Sequence, residues 1–139
     1  MKLFFLFLAS LFLSTSVFAD QGISDTEILV GMHTDISGPA SMIGKQSVDG
    51  ANMRFEEFNK KGGAYGRTIK FIVEDHQYTV PRAVQASNKL LRKDKIAFML
   101  GSLGTPMNNA VMTDQLSMNV PNLFPVSYTH LRAHETKSY

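Results

Sequence analysis

The chain has 139 residues, 44% of them hydrophobic, and a formal charge of +2 from 14 Lys and Arg against 12 Asp and Glu. Near-balanced charge with scattered basic residues argues against a nucleic-acid partner, which calls for a basic stripe. The absence of Cys excludes a disulfide scaffold, a thiol nucleophile and a thiolate metal site.

The chain opens with Lys2, an apolar run from Leu3 to Leu13, and small residues ending in Val17-Phe18-Ala19. That is the layout of a secretory signal peptide. The run is shorter than the roughly 20 residues that span a bilayer, and no Cys follows Ala19 to carry a lipid. Residues 1–19 are therefore expected to be a leader cleaved after Ala19, and the mature protein to work in the periplasm. From Asp20 onward there is enough chain for one modest domain.

Strand and helix then alternate. Ile28–His33 is a short apolar run suited to a strand buried on both faces. Asp35-Ile-Ser-Gly-Pro39 breaks it with turn residues. From Ile43 to Lys60, the spacing of Val48, Ala51, Phe55 and Phe58 predicts a helix, with Asp49, Asn52, Glu56 and Asn59 on its other faces. Gly62-Gly63 ends it. Arg67–Val73 is β-branched and aromatic, a second strand, with Glu74–Gln77 as its polar exit. Thr79 is placed as an N-cap and Pro81 in the first turn. Ala83, Val84, Ser87, Leu90 and Leu91 are the expected inner stripe of the second helix, which finishes in Arg92–Lys95. Ile96–Leu100 is the third strand. A third helix runs from Thr105-Pro106 through Met118, with Val111, Gln115 and Met118 along it, and Leu123–Pro125 is a fourth strand. Strand–helix pairs at this spacing imply right-handed crossovers and an α/β fold, a Rossmann-like open parallel sheet with flanking helices.

In such a sheet a ligand sits beyond the C-terminal ends of the strands. Gly101-Ser-Leu-Gly-Thr-Pro106 is the sharpest segment there. Its glycines admit close approach, and the Thr105 hydroxyl stands at a helix start that suits a carboxylate. Thr105 could equally be a cap for its own helix. Asp35, Ser37 and Gly38 form a second polar loop that an Asx turn explains as well. Asp75 and His76 are adjacent on a strand exit and point in opposite directions, so they do not read as an acid–base pair. Met107, Met112 and Met118 read as helix packing. The chain has no Gly-x-Ser-x-Gly and no Walker loop, and after the first strand it carries Gly31-Met-His-Thr-Asp-Ile36 rather than a dinucleotide fingerprint. No enzyme activity, catalytic residue, cofactor or metal is expected. His130 and His134 have helical ligand spacing but no third ligand.

Taken in order, these segments resemble the exported substrate-binding proteins of ABC importers, in the branch of the leucine/isoleucine/valine-binding proteins with the type I periplasmic binding fold. The markers are Ile28–Gly31 with Asp35–Pro39, Gly50-Ala51, Phe58–Gly63 with Gly66-Arg67, and Val73–Asp75. Pro81–Val84, Asn88–Leu90, Gly101–Thr105 and Val120-Pro121 follow. The resemblance implies two lobes closing on a ligand, of which 20–127 would be most of the N-terminal lobe. Residues 128–139 (Tyr128-Thr-His-Leu-Arg-Ala-His-Glu-Thr-Lys-Ser-Tyr139) read as a non-native tail. It also implies that the Thr105 hydroxyl bonds a ligand α-carboxylate, with Leu103 and Gly104 beside it. Ile43 stands where the best-known members have Tyr, Ser127 starts the loop after the fourth strand, and Ser37 belongs to the first loop. The implied partners are an amino acid (branched-chain or related) or an amide, and the membrane permease of an ABC importer. The protein would act as a monomer. A ligand-sensing ectodomain or regulator of the same fold is the alternative.

Overall fold

A computed structural model describes residues 21–126; the expected leader with its cleavage point, Asp20, Ser127 and residues 128–139 lie outside the described residues. Four strands form one parallel sheet in the order β2-β1-β3-β4. They are β1 (Glu27–Thr34), β2 (Thr68–Asp75), β3 (Phe98–Leu100) and β4 (Asn122–Leu123), joined by helices α1 (Ser41–Lys60), α2 (Val80–Asn88) and α3 (Thr105–Ser117). β1 is central, which is why its apolar run shows no alternation: every residue from Val30 to Thr34 is buried. It pairs with β2 from Glu27↔Thr68 to Thr34↔Asp75, and with β3 at Val30↔Phe98 and Gly31↔Met99.

Strand ends shift where a neighbour decides them. Glu74 and Asp75 belong to β2 rather than to its exit, because β1 continues as their partner to Thr34. β3 begins at Phe98, after Ile96 has been sunk into the core instead of the ladder. β4 stops at Leu123 because Phe124 takes a left-handed backbone (φ 52°) and Pro125 has no N–H for a ladder.

The helices keep most of their expected faces. On α1, Val48, Ala51, Phe55 and Phe58 are half-buried, and Phe55 meets Phe71 of β2 edge-on with centroids 5.2 Å apart. Asn59 departs from its expected outer face. Its Nδ2 donates to the Ile69 carbonyl at 2.8 Å and its Oδ1 accepts from the Ile69 N–H at 2.7 Å, pairing the outer edge of β2 as another strand would. On α2, Ala83 and Ser87 are buried, but Val84 is exposed and Ala86 takes its place. Positions i, i+3, i+4 and i+7 share a helix face, and i+1 does not. A π-helical turn, Lys89–Lys93, follows α2 and brings both Leu90 and Leu91 inward. Those two join Ile96, Met99 and Val120 in the core, with Leu29, Ile72 and Met118 against it. Each such side chain contributes about 1.5–3 kcal/mol when fully buried.

Gly44 is the buried residue of α1 and packs against the β1–α1 loop. A Cβ there would lie 1.8 Å from the Asp35 carbonyl oxygen, whereas one at Gly50 would meet nothing within 4 Å. Gly44→Ala is therefore expected to cost about 2–4 kcal/mol through overpacking and displacement of the β1–α1 loop. Gly50→Ala should stabilise by about 0.5–1 kcal/mol as an exposed helix position. Urea denaturation of both variants checks the contrast, and equal effects would contradict the packing described.

Candidate ligand-binding site

β1 and β3 are neighbours whose following helices lead to opposite sides of the sheet, the switch point at which a parallel sheet opens a crevice. The crevice is bordered by the β1–α1, β2–α2 and β3–α3 loops.

The β1–α1 loop is held by two carboxylates. Asp35 is fully buried, and its oxygens accept from the Gly38 N–H at 2.5 Å and the Ala40 N–H at 2.7 Å, which compensates the buried charge and shapes the entry to α1. The polar loop is thus an Asx-type turn. Asp75, at the end of β2, accepts from the Ile36 N–H (2.9 Å), the Ser37 hydroxyl (2.6 Å) and the Gln77 N–H (3.0 Å). Burial pulls its carboxyl upward, but these bonds outweigh it and hold the group below the usual carboxylate range. Ser37 thus spends its proton on Asp75 and stays exposed as an acceptor. Asp35 and Asp75 are engaged in positioning loops.

The β3–α3 loop is pinned on both sides. The Leu103 N–H donates to the His33 carbonyl at 3.3 Å, and the Gly104 N–H to the Val126 carbonyl at 2.8 Å. Leu103 and Gly104 are buried, with these donors engaged. Gly104, with φ +101°, is the N-cap of α3, and no side chain caps the helix. Thr105 is accordingly the first helical residue, and Pro106 behind it has no N–H. The first helical bond is Asn108 N–H to the Gly104 carbonyl at 2.9 Å. Among the described residues, the N–H groups of Thr105 and Met107 have no backbone acceptor, and the Thr105 hydroxyl has no hydrogen-bond partner. The capping alternative for Thr105 is not realised. These N–H groups and the hydroxyl, without partners among the described residues, stand at the positive end of α3, a corner whose chemistry suits an anion.

Tyr78 forms a wall that sequence reasoning did not single out. It and Gln77 both adopt left-handed backbones (φ 56° and 49°), and its ring comes within 3.5 Å of where a Gly104 Cβ would be. The only signal was an aromatic residue on a strand exit. Ile43 lies in the first turn of α1 and is 38% exposed, at the same edge of the sheet. Ser127 is outside the described residues. Behind the corner, His33 is fully buried with neither ring nitrogen bonded among the described residues, its ring centroid 5.5 Å from that of His76. Burial first, and the charge of His76 second, push His33 down to about 3. Another concavity, lined by Gln21, Ile23, Ala97, Met118, Asn119 and Val120, lies at the opposite end of the strands. Among the described residues, no group of three or more acidic or His side chains could hold a metal ion.

Residues 27–137 match the model of the periplasmic binding protein family, a match that runs on into the segment after Ser127. The chain is 26% identical over 103 residues to a Leu/Ile/Val-binding protein of Rhizobium johnstonii, covering 71% of this chain and 28% of the relative. In structure it is similar to a branched-chain amino acid transporter substrate-binding protein from Streptococcus pneumoniae in complex with isoleucine. The TM-score is 0.70 at 21% identity, over 75% of this chain and 30% of that one. It is also similar to a fatty acid ABC transporter substrate-binding protein from Thermomonospora curvata, with a TM-score of 0.67 at 30% identity, over 78% and 27% of the two chains. The chain thus spans under a third of the length of these relatives, which are solute-binding proteins and not enzymes. Parallel sheet, switch-point crevice and family match agree: the chain belongs to the periplasmic binding protein family.

Proposed function

We propose that the chain is part of the extracytoplasmic solute-binding component of an ABC importer. Its ligand is a branched-chain or related amino acid, or an amide, held between two lobes and delivered to a membrane permease. One observation carries this reading: the first turn of α3 leaves the Thr105 hydroxyl and the Thr105 and Met107 N–H groups unpaired among the described residues, beside a sheet switch point. A carboxylate is the group such a corner takes best. The named ligands of the similar proteins, branched-chain amino acids and fatty acids, share a carboxylate and differ in the rest. The corner therefore suits the common group, and side-chain selection falls to contacts elsewhere, Ile43 and Tyr78 among them. The protein acts in the periplasm, after cleavage behind Ala19, as a monomer.

Thermal unfolding of the two-lobe parent protein with a panel of ligands tests this. L-Leucine, L-isoleucine or L-valine at 100 times the dissociation constant should stabilise it by about 2.7 kcal/mol. Stabilisation by fatty acids alone would move the ligand class, and no response to any carboxylate or amide would contradict the function.

A further inference from the structure

The two walls of the corner, one carrying Tyr78 and the other Thr105, are joined by a single buried side chain. His76 Nδ1 accepts from the Tyr78 N–H at 3.0 Å, and His76 Nε2 lies 2.9 Å from the Leu103 carbonyl oxygen. A backbone N–H can only donate and a carbonyl can only accept, so Nδ1 is bare and Nε2 carries the proton. The main chain of the same residue adds further ties. Its N–H donates to the Thr34 carbonyl at the end of β1 (2.9 Å), and its carbonyl accepts from the Thr79 N–H (2.9 Å). Leu103, two residues before Thr105, is in turn bonded to the His33 carbonyl. The β2–α2 loop, the β3–α3 loop and the end of β1 thus meet at His76.

We propose that His76 is a positioning residue: in its neutral Nε2–H form it locks the β2–α2 loop to the β3–α3 loop and so sets the spacing between Tyr78 and Thr105, which bears on ligand affinity insofar as Thr105 has the binding role given above. The lock also holds a strained backbone. Gln77 and Tyr78 are consecutive left-handed residues without glycine, a conformation that persists only where its surroundings over-determine it. The Nδ1 bond to the Tyr78 N–H supplies that constraint.

Protonation would undo it, because an imidazolium presents N–H at Nδ1 to a second N–H. The groups facing the ring are Asp75 and Tyr78 from its own segment and His33 and Asp35 from β1 and its exit. The neighbouring residues of the β3–α3 loop and first turn of α3, Ser102, Leu103, Met107 and Asn108, bring no titratable group. Burial outweighs the bond to Leu103 and the pull of Asp35 and Asp75, and keeps the ring neutral below the ordinary histidine range.

Asn and Gln separate the two halves of the lock, since an Asn amide reaches about as far as Nδ1 and a Gln amide about as far as Nε2. In the 139-residue chain, ring nitrogen NMR at pH 7 should show the Nε2–H form. His76→Gln should speed exchange of the Tyr78 amide by about tenfold while sparing Leu103 and Gly104, and His76→Asn should do the reverse. Titration with L-leucine should show weaker affinity in both variants, and the wild-type affinity should drop on acidification with the titration of His76. An Nδ1–H tautomer, unchanged exchange in both variants, or unchanged L-leucine affinity with a flat pH profile would overturn the proposal. If neither variant folds, the wild-type tautomer and pH profile decide it. A wild-type chain with the lock intact but no response of Thr105 to L-leucine would contradict the binding reading and the link to affinity, not the lock.

Discussion

Replacing Thr105 with Val in the two-lobe parent protein is expected to weaken L-leucine binding by roughly one to two decades, with the fold unchanged. The two side chains have nearly the same shape, so the substitution removes the hydroxyl and little else. That hydroxyl caps nothing: Gly104 is the N-cap, and α3 starts without a side-chain cap bond. Its loss from the helix itself should therefore be neutral. One hydrogen bond to a charged carboxylate contributes about 1.5–3 kcal/mol, which gives the stated change in affinity. Thr105→Ser should recover most of it. Calorimetric titration that found wild-type affinity in Thr105→Val would mean that the hydroxyl does not touch the ligand.

Stability should fall steeply on mild acidification, and His33 is the main cause. In the folded chain burial holds its ring at about 3, against an ordinary value of 6.5. Below pH 6.5 the unfolded chain takes up a proton that the folded chain refuses, so stability is full above that pH and declines as pH drops toward 3. At about 1.4 kcal/mol per pH unit, the loss from this group reaches about 2 kcal/mol by pH 5. His76 is lowered as well and adds in the same direction. Asp75, held below its ordinary value, also loses stabilising contribution on acidification, but from about pH 4 downward. The window between pH 6.5 and 4.5 therefore reports the histidines. His33→Phe should flatten much of that limb. Because neither ring nitrogen of His33 has a partner among the described residues, the variant should stay within about 1 kcal/mol of wild type at pH 7. Urea midpoints at pH 7 and pH 5 measure both effects, and an acid limb equally steep in the variant would contradict the assignment.

What could be read from the sequence was whatever short-range pattern controls. The apolar run of β1, the stripe of α1 and the Gly101–Pro106 loop all declare themselves through spacing and turn chemistry, and each is present. The strand order adds nothing to local pattern, but short crossovers leave few alternatives to a parallel sheet. The misplaced details are long-range. Asn59 turned inward because an edge strand offered it both a donor and an acceptor. Ile96 left the third strand for the core, and the π-helical turn ahead of it let Leu90 and Leu91 share one face. In the site, Thr105 was legible as a hydroxyl at a helix start, but setting aside the cap needed the positive-φ backbone of Gly104, which takes the N-cap position itself. Tyr78 and the partners of His76 were invisible, since the contact to Leu103 joins residues 27 apart in sequence.

Where a carboxylate ligand lands on the chain decides most directly whether the start of α3 is its site. Amide NMR of the 139-residue chain, titrated with L-leucine into the millimolar range, locates it directly. One lobe presents a half-site open to water, so binding should be weak, with affinity no better than millimolar. The shifts should nonetheless concentrate at Thr105 and Met107, then at Tyr78 and the β1–α1 loop, and should be absent from Gly50 and the middle of α1. Shifts centred on Gln21, Ile23, Ala97 and Met118 at the opposite edge, or none at all, would contradict a carboxylate site at the start of α3.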